Sequence, residues 1–150
     1  MKKNHTSPPA PQGRVIGLDL HPDVFSAAAL AGRDAATAQV EQSWDRLRTA
    51  ELEKWARKLQ PGDVVVLEAS GNSFQVVRSL AAIQRRALVL ESCQMRKLKE
   101  AHANNDKISA VRIGKAYLAG TAKEVWVPDA KTQERRDWFH AHRKAVKRTT

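Results

Sequence analysis

Residues 63–91 read D-V-V-V-L-E-A-S-G-N-S-F-Q-V-V-R-S-L-A-A-I-Q-R-R-A-L-V-L-E, and this stretch decides the fold. The unbroken apolar run ending at Glu68 predicts a central strand covered on both faces. Ser70-Gly71-Asn72-Ser73 supplies a turn and a helix cap. Residues 74–86 then predict a helix, with Val76, Leu80, Ile83 and Ala87 along one stripe. A-L-V-L-E predicts a further strand. Strand, helix and strand in that order build parallel sheets, so the chain is an α/β protein.

Upstream, R-V-I-G-L-D-L at residues 14–20 predicts a buried strand. S-A-A-A-L and A-T-A-Q-V-E-Q-S-W are the next two strands of a meander, joined at Gly32 and Asp34. Leu52, Trp55, Ala56 and Leu59 recur at helical spacing, which predicts a helix from Thr49 or Ala50 to Gln60 before Pro61-Gly62. Downstream of Met95 the pattern is mostly helical. Residues 106–119 form one helix in which Asp106, Ser109, Ile113 and Ala116 share a stripe. E-V-W-V-P is a short extended piece, and the last twenty residues are a helix with seven Lys or Arg against Glu134 and Asp137. That helix stops without a cap or glycine, and the ending reads as a cut. The chain thus divides into a polar, proline-rich tail (1–13), one α/β domain (14–130) and a basic helix (131–150) leading toward a further domain.

At 150 residues the chain can bury one full core. Its 26 Lys and Arg against 16 Asp and Glu leave a formal charge of +10, which suits a polyanionic partner such as nucleic acid. A solvated basic face is the plain alternative. The lone Cys93 excludes an internal disulfide and fits a reducing cytosol. No stretch approaches the roughly 18 apolar residues of a membrane span, and no apolar core follows Lys2 and Lys3, so no secretory signal is present. A cytoplasmic protein is expected.

The chemistry rests on carboxylates. Asp19 lies between Leu18 and Leu20 in a strand, and Glu68 ends the V-V-V-L strand. Each ionised group is costly there unless it meets water, a cation or donors. If their strands are neighbours, both emerge on one sheet edge, where α/β folds hold ligands. Solvation at a strand end explains either residue alone. Asp106 is equally explained as a helix cap complementing the dipole. Three such groups converging would hold divalent magnesium against a phosphodiester. Glu91 is one more carboxylate at a strand end, which solvation also explains. His21 and Asp23 fit a surface turn at Pro22. His140 and His142 do not share a helix face, and no cysteine pair accompanies them, which argues against zinc. Trp44, Trp55, Trp126 and Trp138 are expected as packing residues, with Trp138 also placed to stack on a base.

I-G-L-D-L with Asp19, V-L-E-A-S-G with Glu68, N-D-K-I-S-A-V-R-I-G-K-A-Y-L-A-G with Asp106, E-V-W-V-P-D, and R-R-D-W-F-H-A-H-R-K occur in this order. From Val15 to about Lys147 the chain resembles the DEDD insertion-sequence transposases of the IS-one-ten group, whose N-terminal domain is RuvC-like with an RNase H fold. The resemblance implies a mixed sheet flanked by helices and a Mg2+-dependent recombinase, in which Asp19, Glu68 and Asp106 hold the metal. It further implies a bacterial, nucleoid-associated protein with DNA as substrate, a guide RNA encoded by the element and a homo-oligomer. Arg96, Lys97, Lys99 and Lys107 would contact nucleic acid, as would Arg135, Arg136, Arg143, Lys144, Lys147 and Arg148. Such phosphate contacts set register without reading sequence.

Two departures stand out. The family motif ends Asp-x-x-Asp-Ala, whereas this chain has Ser109 in the last acidic place. The hydroxyl can hold a metal-bound water but supplies no negative charge. The family also has a C-terminal domain with a serine nucleophile, which lies outside these 150 residues. A non-catalytic nucleic-acid-binding relative is therefore a second reading. A sugar-kinase or actin-like ATPase is a third, but H-P-D-V-F lacks the glycine- and Ser/Thr-rich phosphate loop that fold requires.

Overall fold

A computed structural model describes the backbone over residues 13–91 and 106–149 and the side chains over 13–91 and 109–148. The strands are β1 (Val15–Leu20), β2 (Val24–Ala31), β3 (Gln39–Arg48), β4 (Val64–Glu68), β5 (Arg86–Leu90) and β6 (Glu124–Val125). The helices are α1 (Leu52–Ala56), α2 (Ser73–Ala82), α3 (Asp106–Leu118) and α4 (Ala130–Thr149). The described strands form one sheet in the order β3-β2-β1-β4-β5-β6. β1, β2 and β3 make an antiparallel meander, β1-β4-β5 are parallel, and β6 returns antiparallel beside β5. This is the mixed α/β sheet flanked by helices that was expected, with the basic helix α4 following it.

The sheet separates two cores. Ile16, Leu18, Phe25, Ala27, Val65, Leu67 and Val89 face one side, where Leu52, Trp55 and Ala56 of α1 and Val76 and Leu80 of α2 cover them. Val15, Val64, Val66 and Leu90 face the other side, under Ile113 and Ala116 of α3. Alternation along β1 and β4 sends neighbouring residues to opposite faces, so both strands are apolar up to Leu18 and Leu67. Trp55 joins Phe25 and Trp44 edge-on, with centroids 5.1 and 5.4 Å away.

An ion pair not anticipated from sequence ties the start of β1 to that of β4. Arg14 grips Asp63 with two parallel bonds, Nε to Oδ1 at 3.1 Å and Nη2 to Oδ2 at 2.7 Å. The same carboxylate accepts the Gln60 N–H at 2.9 Å, and its side chain is fully buried. The hydrogen bond to Asp63 holds the Arg14 pKa above its ordinary value.

Several boundaries differ from expectation. The helix after Thr49 starts as a short 3-10 turn (Thr49–Glu51), and α1 ends at Ala56, short of Gln60. Arg85 closes that end, donating Nε to the Ala56 carbonyl at 3.0 Å and Nη2 to that of Arg57 at 3.1 Å. α2 stops at Ala82, so Ala87 belongs to β5 and not to the helical stripe. There the Arg85 N–H reaches back to Leu80 O and the Gln84 N–H to Ala81 O, while Gln84 takes φ 59°. α3 ends the same way at Gly120, φ 65°, where a glycine accepts the left-handed turn without cost. β3 runs on to Arg48, and Asp34 organises the turn before it by accepting the Ala36 and Thr37 N–H groups. Trp126 and Trp138 are 64% and 69% exposed, which corrects their expected packing role. Among the described residues no helix is long and apolar enough to cross a membrane.

Candidate metal-binding edge

β1 pairs with β4 in parallel up to Leu18↔Leu67, so Asp19 and Glu68 stand next along the two strands. Val15, Gly17 and Asp19 alternate onto the α3 face, as do Val64, Val66 and Glu68. Both carboxylates therefore leave the same face of the sheet at the carboxyl ends of adjacent central strands. Leu18 and Leu67, buried on the opposite face, lock this register, because a one-residue slip would bury Asp19 in the α1–α2 core. The Asp19 side chain is only 16% exposed, and His21 Nε2 lies 3.4 Å from its Oδ2. His21 lies in the exposed turn expected for it, its N–H closing on the Val24 carbonyl at 2.9 Å, and from there its ring meets Asp19.

Helix α3 crosses this face close to the strands. A β-carbon at Gly17 would collide with the Ala110 carbonyl, and one at Gly114 with Leu30. Leu30 pairs with Val15. Ala110 and Gly114, one turn apart, therefore both sit against Gly17, two residues before Asp19 on β1. The half-buried Ser109 precedes Ala110 on α3, which begins at Asp106. The side chains of Asp106 and Lys107 lie outside the described residues, as do Cys93, Arg96, Lys97 and Lys99.

Sequence reasoning passed over the next strand. Asp19 pairs with Ser26 on β2, whose buried hydroxyl donates to Asp45 Oδ1 at 3.3 Å and accepts the Arg46 N–H at 3.0 Å. Opposite Ser26, β3 spends two residues, Asp45 and Arg46, where the pairing shifts between Phe25 and Ala27. That bulge, with Arg46 at φ 49°, turns Asp45 onto the Asp19 face. A bulge inserts one residue and breaks strict alternation, so periodicity could not reveal it.

The donors here are carboxylate oxygens with one hydroxyl, Ser109, on the nearby helix, a set suited to a hard divalent cation such as magnesium. Among the described residues no three His, Cys, Asp or Glu side chains come together around one ion. Asp106, whose side chain stands outside that set, is the one candidate from the resemblance left to complete it. Glu91 is exposed beyond β5, in keeping with a solvated strand end.

Of the basic residues, Arg135, Arg136, Arg143, Lys144, Lys147 and Arg148 all stand exposed on α4. This helix leaves from the α2 side of the sheet, where Arg78 Nη1 donates to the Pro128 carbonyl at 3.2 Å. Asp129 caps it by accepting the Thr132 N–H at 2.7 Å. Arg136 lies over the Trp126 ring, 5.4 Å from its centroid.

No family model matches the chain, and no curated protein matches it. Among solved structures it is similar to the Fowlpox virus resolvase, determined with substrate Holliday junction DNA. That likeness has a TM-score of 0.46 and 11% identity, over 73% of this chain and 99% of that one. Values of that size provide no residue correspondence.

Proposed function

We propose that this chain is the RuvC-like catalytic-type domain of a bacterial DNA transposase or recombinase that performs magnesium-dependent phosphodiester chemistry. The observation that carries the reading is the pairing of Asp19 and Glu68 on one face, at the carboxyl ends of β1 and β4. An α/β sheet binds its ligands at that edge. Asp19 and Glu68 hold the magnesium with Asp106, and Ser109 orients water at the same helix end. When bound, the ion polarises the scissile phosphate and stabilises the departing oxygen.

The chain's own residues do the remaining work. His21 fixes the rotamer of Asp19, and the glycine contact of α3 with β1 sets how closely the helix approaches the two strands. Arg and Lys on α4 hold phosphates by charge, which gives affinity that falls with salt. The resemblance of the ordered motifs supports the finer parts of this reading: action in the cytoplasm, on DNA ends, as an oligomer and under an element-encoded guide RNA.

The test is nicking of branched DNA with magnesium. Native protein nicks, and Asp19→Asn does not. Equal nicking by both removes Asp19 from the site. A second reading, a non-catalytic nucleic-acid binder, is favoured by Ser109, which stands where the family's last carboxylate would be. Under it, branched DNA binds, nothing is cut with or without metal, and magnesium fails to bind.

A further inference from the structure

Five large apolar side chains stand exposed among the described residues, and four of them, Trp126, Trp138, Phe139 and Val146, fall in or beside α4. Trp138, His142 and Val146 follow one another at four-residue steps along one stripe of the helix. Exposed rings gathered in this way mark a surface that something covers. The Asp19–Glu68 edge does not use it, since that edge lies on the α3 face and α4 leaves from the α2 side.

Charge decides what covers it. α4 carries seven Lys or Arg against Glu134 and Asp137, a surplus of five positive charges. A second α4 laid alongside would bring two such surpluses together, whereas a polyanion neutralises both the helix and its surroundings. The rings then select among polyanions. In a duplex the base faces are stacked on one another and cannot meet a side chain. In an unpaired strand they are open, and aromatic rings between cations are the ordinary platform for them. Trp138 and Phe139, with Glu134 and Arg135, line an open cleft of about 490 Å³. The Trp138 ring is backed by His142, parallel within 4° at 5.6 Å between centroids. Trp126 is backed by the Arg136 guanidinium. Each indole thus has one side held by a nitrogen-bearing group and most of its surface in solvent.

We infer that Trp138 and Phe139, which share one cleft with Arg135, form a stacking surface for the unpaired bases of single-stranded DNA, with Arg135, Arg143 and Lys144 holding its phosphates. This rests on the reading of the protein as a DNA-acting domain and specifies which form of DNA meets α4.

The experiment titrates the whole chain with labelled oligothymidylate, a blunt duplex of equal length and oligouridylate, following anisotropy and intrinsic tryptophan fluorescence. Oligothymidylate quenches the native fluorescence. Trp138→Ala weakens its binding roughly 5- to 150-fold, the range of one stacked base, while duplex binding stays within about twofold. Trp126→Ala, whose ring lies against Arg136 outside that cleft, leaves it within about twofold, and Trp138→Phe retains most of the affinity. Both indoles are exposed, so the variants keep the native unfolding midpoint.

Unchanged oligothymidylate affinity in Trp138→Ala overturns the stacking surface but leaves the DNA-acting reading standing if branched or duplex DNA still binds. Failure of every polynucleotide to bind overturns both. Tighter, Trp138-dependent binding of oligouridylate overturns the assignment to DNA. A dimer at micromolar concentration that Trp138→Ala dissociates shows a second copy to be the occupant, and also overturns it.

Discussion

Gly17 on β1 lies directly beneath the Ala110 carbonyl of α3, so close that a β-carbon at residue 17 would collide with that oxygen. The contact sets the height of α3 above the sheet, and with it the distance from the α3 N-terminus to Asp19. Gly17→Ala forces helix and strand apart. It is expected to lower stability by roughly 1–3 kcal/mol in urea unfolding, the usual cost of overpacking. Magnesium affinity falls with it. A variant with native stability would show that the helix is free to shift.

Ser109 invites the opposite change. Under the proposed function, Ser109→Asp adds a carboxylate on the helix stripe that approaches Asp19, and magnesium binding measured by calorimetry tightens. With Glu68→Gln in the same protein the gain disappears. If Ser109→Asp leaves magnesium binding unaltered, α3 does not contribute to the metal edge.

The Arg14–Asp63 pair predicts an asymmetry between single and double substitutions. Arg14→Met leaves the fully buried Asp63 carboxylate without its cation and is expected to cost about 3–5 kcal/mol. Adding Asp63→Leu removes the stranded charge and recovers much of that loss. Because the Arg14 pKa is raised, its contribution is complete below the ordinary arginine value and is lost only as pH climbs through a still higher one. Denaturation midpoints measured from neutral to moderately alkaline pH should show no loss from this pair.

Acid pH acts on α4. The Thr132 N–H holds the Asp129 carboxyl below the ordinary aspartate value. A depressed folded pKa means the cap is fully effective above the unfolded value and fails as pH drops through the folded one. The protection of the Thr132 and Gln133 amides, their exchange compared with an unstructured chain at the same pH, should therefore fall in acid. In Asp129→Asn, which still accepts the bond without titrating, that loss of protection should be absent.

Gln84 adopts φ 59° at the end of α2, where an L side chain is strained. Gln84→Gly relieves the strain but gives the unfolded chain more freedom, leaving a net stabilisation of about 0.5–1 kcal/mol. Lower stability in thermal unfolding would show that the Gln84 side chain packs usefully.

The amino-acid sequence alone determined the elements whose burial is uniform. V-V-V-L can only be a strand covered on both faces, and V-I-G-L-D-L exposes its aspartate as an anomaly that must face a sheet edge or a ligand. The α2 and α3 stripes were likewise legible, because 3.6-residue periodicity survives wherever one face is apolar. Tertiary structure decided the rest. The Leu18–Leu67 register, which puts Asp19 level with Glu68, depends on pairing strands more than forty residues apart. The bulge that turns Asp45 onto the same face exists only because β3 must follow β2. The two exposed tryptophans carry no mark in their own codons: an indole beside a short strand or on a basic helix reads as core until the neighbouring elements leave it uncovered.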